Sequence, residues 1–163
     1  MLRALRRRVS AHPRSAARRR SLLKLIGLGL LANATRGGAA DAPVPQPAAA
    51  RARDFMARAE QLRSRALADG DQGYGAVIVR DGRIVGQAPS RVVVNGDPTA
   101  HAETEAIRDA CRRLGTRDLR GCVMYSTTPA CAMCETAAYW ARVTRMYAGE
   151  DIADRGAPRY GSC

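Results

Sequence analysis

At 163 residues the chain has room for one compact domain and a short appendage, which excludes two full domains. Its formal net charge of +12 points to a polyanionic partner only until the distribution is read. Ten of the 27 basic residues lie within positions 1–40, where no acidic residue occurs, leaving 17 basic against 15 acidic residues, a net +2, from Asp41 onward. A strong electrostatic footprint for nucleic acid is therefore not written into the rest of the chain.

Residues 1–40 have the organisation of a targeting segment. An Arg-rich start runs into Arg19-Arg20-Ser21-Leu22-Leu23-Lys24, an apolar stretch follows from Leu25 to Ala32, and Gly37-Gly38-Ala39-Ala40 closes it with small residues. The apolar stretch is roughly half of the ~20 residues that a bilayer-spanning helix needs. Paired arginines ahead of Leu-Leu-Lys resemble a bacterial twin-arginine signal, which a receptor reads as an address. Cleavage is expected after Ala40. Cleavage after Ala42 would leave Pro43, with its rigid ring and missing N–H, at the new N-terminus. The expected destination is the periplasm. A basic tail for nucleic acid or membrane surface is the alternative, and it does not account for the apolar stretch and its small-residue end. Residues 41–50 read as a Pro/Ala-rich linker, extended and packed against nothing, and residues 51–163 as the functional domain.

Within that domain, Phe55, Ala59, Leu62 and Ala66 fall on one helical face between Asp54 and Ala68. The β-branched run from Tyr74 to Arg80, the dipeptide Asp81-Gly82 and Arg83–Gly86 read as an antiparallel hairpin. Asp97-Pro98-Thr99 sets up a helix start, and the apolar positions from Ala102 to Leu114 carry that helix to Gly115. A strand fits 122–126 and a helix Cys131 to about Arg142, with Met133, Ala137, Trp140 and Ala141 inward. A last strand fits 144–148. The order predicts an α/β fold, a three-layer α/β/α sandwich around a small mixed sheet.

Two fragments carry chemistry: His101-Ala102-Glu103 and Cys131-Ala132-Met133-Cys134, each opening a predicted helix. Two thiolates three residues apart at a helix start can face one metal, and one imidazole completes three protein ligands. Three ligands leave the fourth tetrahedral position open for water, as in a catalytic zinc site. Both helix ends also present positive dipoles to that point, which favours thiolates. Alone, His-x-Glu is common, and Cys-x-x-Cys in an exported protein is also a redox pair or a disulfide. Their combination argues for metal. Of the other cysteines, Cys111 is expected buried on an inward helical face. Cys122 and Cys163 have no assigned role, and Cys163 is free to pair with another cysteine after export.

His-x-Glu with a downstream Pro-Cys-x-x-Cys marks the zinc nucleobase deaminases. The resemblance extends to Gly75–Val79 with Asp81-Gly82, to Asp97–Glu103 with Ala106-Ile107-Arg108, and to Tyr139-Trp140-Ala141-Arg142. Over about residues 54–148 the chain resembles the cytidine deaminase superfamily, in the branch of guanine deaminases and tRNA-specific adenosine deaminases. That resemblance implies Zn²⁺ on His101, Cys131 and Cys134, and Glu103 as the proton carrier of a hydrolytic deamination. It also implies an amide of Ala102 or Glu103 as a contact to the base, a purine or pyrimidine, with guanine leading.

The chain departs from the family pattern at three places. Ser90 stands where the family has a substrate-contacting asparagine, seven residues before the Asp-Pro pair. Pro129-Ala130 stand where it has Glu-Pro. The chain also reads as C-terminally shortened, so the pocket is either unusually open or closed by the partner subunit of a homodimer. Competing readings are a deaminase of adenosine in tRNA, a zinc-structured module without catalysis, and an exported thiol–disulfide protein.

Overall fold

The computed structural model describes residues 42–160; the expected leader at 1–40, its cleavage point and Cys163 lie outside the described residues. The elements are α1 Ala52–Ala68, β1 Gly75–Arg80, β2 Arg83–Pro89, α2 Val92–Asn95, α3 Ala102–Leu114, β3 Val123–Ser126, α4 Ala132–Trp140, β4 Arg145–Ala148 and β5 Ala153–Gly156. The first hairpin turns on Asp81-Gly82, both at positive φ (50° and 71°). That is the twist-matching turn geometry which an Asp-Gly dipeptide favours.

The strands form one sheet in the order β2-β1-β3-β4-β5. β1 is antiparallel to β2 and β3, β3 is parallel to β4, and β5 is antiparallel to β4. Parallel neighbours need a crossover, and α4 supplies it between β3 and β4. β1 is buried from Gly75 to Val79 and serves both faces. Val77 and Val79 join Phe55, Met56, Ala59 and Leu62 of α1 in one apolar cluster. Ala76 and Ile78 join Ala102, Ala106 and Ala110 of α3 in the other, which also takes Ala138 beside Met124 and Met146. The predicted three-layer sandwich is the observed one, with α1 on one side and α3 and α4 on the other.

Several expectations need correction. β2 runs on to Pro89, and its register with β1 shifts between Ile78 and Val79. The bulge turns Ile84 to the α1 face but Gly86 and Ala88 to the α3 face, where strict alternation would put all three on one side.

Residues 42–50 do not hang free. Gln46 donates Nε2 to the Ile84 carbonyl and accepts the Ile84 amide on Oε1, each at 2.8 Å, while Val44 packs on the α1 cluster. β2 is an edge strand, and one side-chain amide satisfies both peptide groups that Ile84 would leave bare.

Trp140 is 67% exposed, and the buried face of α4 is Cys134 and Ala138. Cys111 is only partly buried, whereas Cys122 is buried. Among the described residues, no helix is long and apolar enough to cross a membrane.

Candidate metal centre

His101 and Cys131 are the N-cap residues of α3 and α4, with extended backbones (φ −64°, ψ 151°; φ −69°, ψ 168°). Neither side chain bonds to its own helix start, as the usual Ser, Thr, Asp or Asn cap would. Imidazole and thiol are thus free to meet in front of two helix ends. Asp97-Pro98-Thr99 is a separate turn and not the helix start expected: Asp97 Oδ1 accepts both the amide and the hydroxyl of Thr99 at 2.7 Å. The loop into α4 is tied to β1, with the Thr127 amide donating to the Gly75 carbonyl and Thr127 Oγ1 accepting the Gly75 amide.

Cys131 Sγ lies 3.7 Å from His101 Nδ1, and the ligand atoms of His101, Cys131 and Cys134 all lie within 4.8 Å of one another. Tetrahedral zinc, with Zn–S near 2.3 Å and Zn–N near 2.0 Å, sets S···N at about 3.5 Å and S···S at about 3.8 Å. The donor set fits zinc, and the Cys131–His101 separation matches an edge of that tetrahedron. Cys134 is buried, His101 half-buried and Cys131 exposed, so the site opens on one side.

Glu103 is 5% exposed, with Oε2 3.7 Å from Cys134 Sγ. It sits beside the three donors without being one of them. Burial raises its carboxyl above the ordinary value, and its own amide, His101 and the Cys134 thiol only partly offset this. Burial, and then the Glu103 carboxylate, push the Cys134 thiol strongly upward. A divalent cation reverses both penalties.

Of the two substrate contacts expected, Ala102 occupies the first position of α3, where a backbone amide has no intrahelical acceptor. Ser90 is the other. It is fully buried, its hydroxyl donates to Asp71 Oδ1 at 2.8 Å and its amide to the Tyr74 carbonyl, so its side chain anchors a loop. Sequence reasoning missed Asp71, the carboxylate that organises that loop, and Thr104, whose Oγ1 lies 3.4 Å from Cys134 Sγ. Neither falls in a motif. Arg142 and Arg145 are exposed and pair with Asp118 and Asp154.

Residues 50–150 match the family described as the cytidine and deoxycytidylate deaminase zinc-binding region. Guanine deaminase of Bacillus subtilis (strain 168) is 43% identical over 106 residues, 63% of this chain and 68% of that protein. tRNA-specific adenosine deaminase of Aquifex aeolicus (strain VF5) is 41% identical over 92 residues, 56% of this chain and 61% of that protein. The X-ray structure of guanine deaminase from Bacillus subtilis superposes with a TM-score of 0.57 at 41% identity, over 58% of this chain and 61% of that one. The match thus spans about three fifths to two thirds of these relatives' own length. With the His-x-Glu and Cys-x-x-Cys fragments converged at two helix ends and the family match running across them, the chain belongs to the cytidine and deoxycytidylate deaminase family.

Proposed function

We propose that this protein is a zinc-dependent hydrolytic deaminase that releases ammonia from a nucleobase or nucleoside, with guanine the leading substrate. The observation that carries this reading is the grouping of His101, Cys131 and Cys134 within 4.8 Å, with the buried carboxylate of Glu103 beside them. His101, Cys131 and Cys134 would hold the metal. When bound, zinc supplies Lewis acidity that makes water nucleophilic near neutral pH. Glu103 takes a proton from water at the site and delivers it to a ring nitrogen and then to the departing amine. Its position, buried beside the three donors without being one of them, suits it to carry protons rather than to bind metal. The amide of Ala102 or Glu103, in the first turn of α3, would hold the ring.

The 43% identity to guanine deaminase supports guanine. The 41% identity to a tRNA-specific adenosine deaminase favours a second reading, adenosine in tRNA, against which stands the net +2 from Asp41 onward. A zinc module without catalysis would have no use for a buried Glu103. Ammonia release across guanine, other bases, nucleosides, pterins and tRNA separates these readings.

Two further parts of the proposal concern context. A homodimer is supported by an open groove of about 1080 Å³ that Tyr139, Trp140 and Val143 line together with Arg117, Asp118, Arg120 and Arg142. Tyr139 and Trp140 of that lining pack edge-on with each other and with Tyr160 at 5.5–5.8 Å while the three stay 44%, 67% and 59% exposed, an aromatic surface of the kind that partners cover. Action in the periplasm is supported by the basic, apolar and small-residue order of positions 1–40. Replacing Arg19 and Arg20 by lysine keeps the charge but removes the guanidinium pair. The protein should then remain in the cytoplasm with its leader attached, and processed protein outside the inner membrane would refute the twin-arginine reading.

A further inference from the structure

We propose that Thr104 is a positioning residue of the metal site: its hydroxyl donates a hydrogen bond to Cys134 Sγ and thereby sets how that sulfur binds metal. The inference rests on the zinc reading above. His101 caps α3, and Glu103 and Thr104 follow in the first turn, so one helix end presents an imidazole, a carboxylate and a hydroxyl. Thr104 Oγ1 lies 3.4 Å from Cys134 Sγ, with Thr104 9% and Cys134 0% exposed.

The proton inventory decides the direction of this bond. A metal-bound cysteine is a thiolate and has no proton to give, whereas threonine keeps one O–H donor. Thr104 must then be the donor. The two sulfurs are also not equivalent. Cys131 is exposed and water can solvate its charge, but Cys134 is buried with the Glu103 carboxylate 3.7 Å away. A buried anion beside another anion needs a donor, and among the described residues Thr104 brings a neutral one within reach.

The residue type points the same way. A β-branched residue gains nothing intrinsically in a helix, and a buried hydroxyl is costly unless bonded. Valine would fill the same space at no polar cost. The sulfur is what a hydroxyl serves there. By accepting this bond the sulfur gives up electron density, which stabilises the thiolate and leaves the metal a stronger Lewis acid, as outer partners of metal ligands do elsewhere.

The test uses the purified full protein loaded with cobalt(II) in place of zinc, comparing wild type, Thr104→Val and Thr104→Ser. The sulfur-to-cobalt charge-transfer band reads the sulfur directly, without turnover, and competition with a chromogenic chelator reads zinc affinity. Thr104→Val should move the band to lower energy and weaken zinc binding by about 10- to 100-fold, with the melting temperature of the metal-free protein unchanged. Thr104→Ser should restore both. A valine variant with wild-type band and affinity, or a serine variant that behaves like valine, would overturn the role of the hydroxyl. A wild type with no thiolate–cobalt band would instead overturn the zinc reading, and this inference with it.

Discussion

Replacing Asp71 by asparagine probes the loop that leads to the metal site. The Asp71 carboxylate is 6% exposed and accepts four hydrogen bonds: on Oδ1 from the Gln72 amide (2.7 Å) and the Ser90 hydroxyl (2.8 Å), and on Oδ2 from the Val93 and Val94 amides (2.9 Å each). The next link is the Arg91 amide, which donates to the carbonyl of Ala100, the neighbour of His101. Asparagine keeps the shape but turns one acceptor into a donor. With its oxygen kept on Val93 and Val94, the new NH₂ faces the Ser90 hydroxyl, which can rotate to accept, and the Gln72 amide, which cannot. The part-buried Gln72 amide loses its partner, at about 1–3 kcal/mol, and the surviving bonds lose their charge assistance, at about 1 kcal/mol more. The expected loss at neutral pH is about 2–4 kcal/mol.

The pH dependence has a definite sign. Burial alone raises the Asp71 carboxyl, but the Val94 amide, the Ser90 hydroxyl and the Gln72 and Val93 amides outweigh it and hold it below its ordinary 3.8. A carboxyl depressed on folding contributes stability that is complete above its unfolded value and lost as pH falls through the lower folded value. The gap between wild type and Asp71→Asn should therefore be constant from about pH 7 to about pH 5 and shrink below about pH 4. Urea unfolding of both proteins at matched zinc loading measures it. A gap under about 0.5 kcal/mol at neutral pH, or one undiminished in acid, would refute the reasoning.

Two other perturbations follow from the packing. A Cβ at Gly86 would come within 2.5 Å of the Ala110 amide nitrogen and Cβ and 2.7 Å of the Ala106 carbonyl. Gly86→Ala should therefore cost about 1–3 kcal/mol or more and, because α3 carries His101, lower zinc affinity as well; a variant with wild-type melting and zinc content would contradict this packing. Trp140→Ser should halve the mass seen by light scattering at micromolar concentration without lowering monomer stability. A wild-type protein that is already monomeric would rule the dimer out.

The readable parts of the fold are those where local pattern and tertiary demand agree. The α1 face at Phe55, Ala59, Leu62 and Ala66 is buried as its period requires, and the Asp81-Gly82 turn is determined by its own φ values. The illegible parts depend on distant atoms. Val92–Asn95 reads as a β-branched run yet forms a helical turn, because Asp71 accepts its amides from another part of the chain. β5, Ala153–Gly156, contains no β-branched residue and exists by pairing with β4. Helix α4 is apolar on most of its surface, so periodicity leaves its rotation open. Burial of Cys134 and Ala138 turns Trp140 outward. The metal donors were legible because they open their helices, whereas Thr104 needed Cys134, thirty residues away, to acquire a meaning.

The most direct measurement is ammonia release by wild type and Glu103→Gln, starting with guanine and extending to other bases, nucleosides and pterins, with zinc determined on the same samples. Glutamine keeps the size of Glu103 and removes its proton carrier while sparing all three metal donors. Wild type should contain about one zinc per chain and release ammonia from at least one heterocycle. Glu103→Gln should keep the zinc and the melting temperature but lose turnover by about 10²- to 10⁴-fold. Near-normal turnover in Glu103→Gln would contradict the assigned role of Glu103, and zinc-loaded wild type that releases no ammonia from any of these substrates would contradict the deaminase itself.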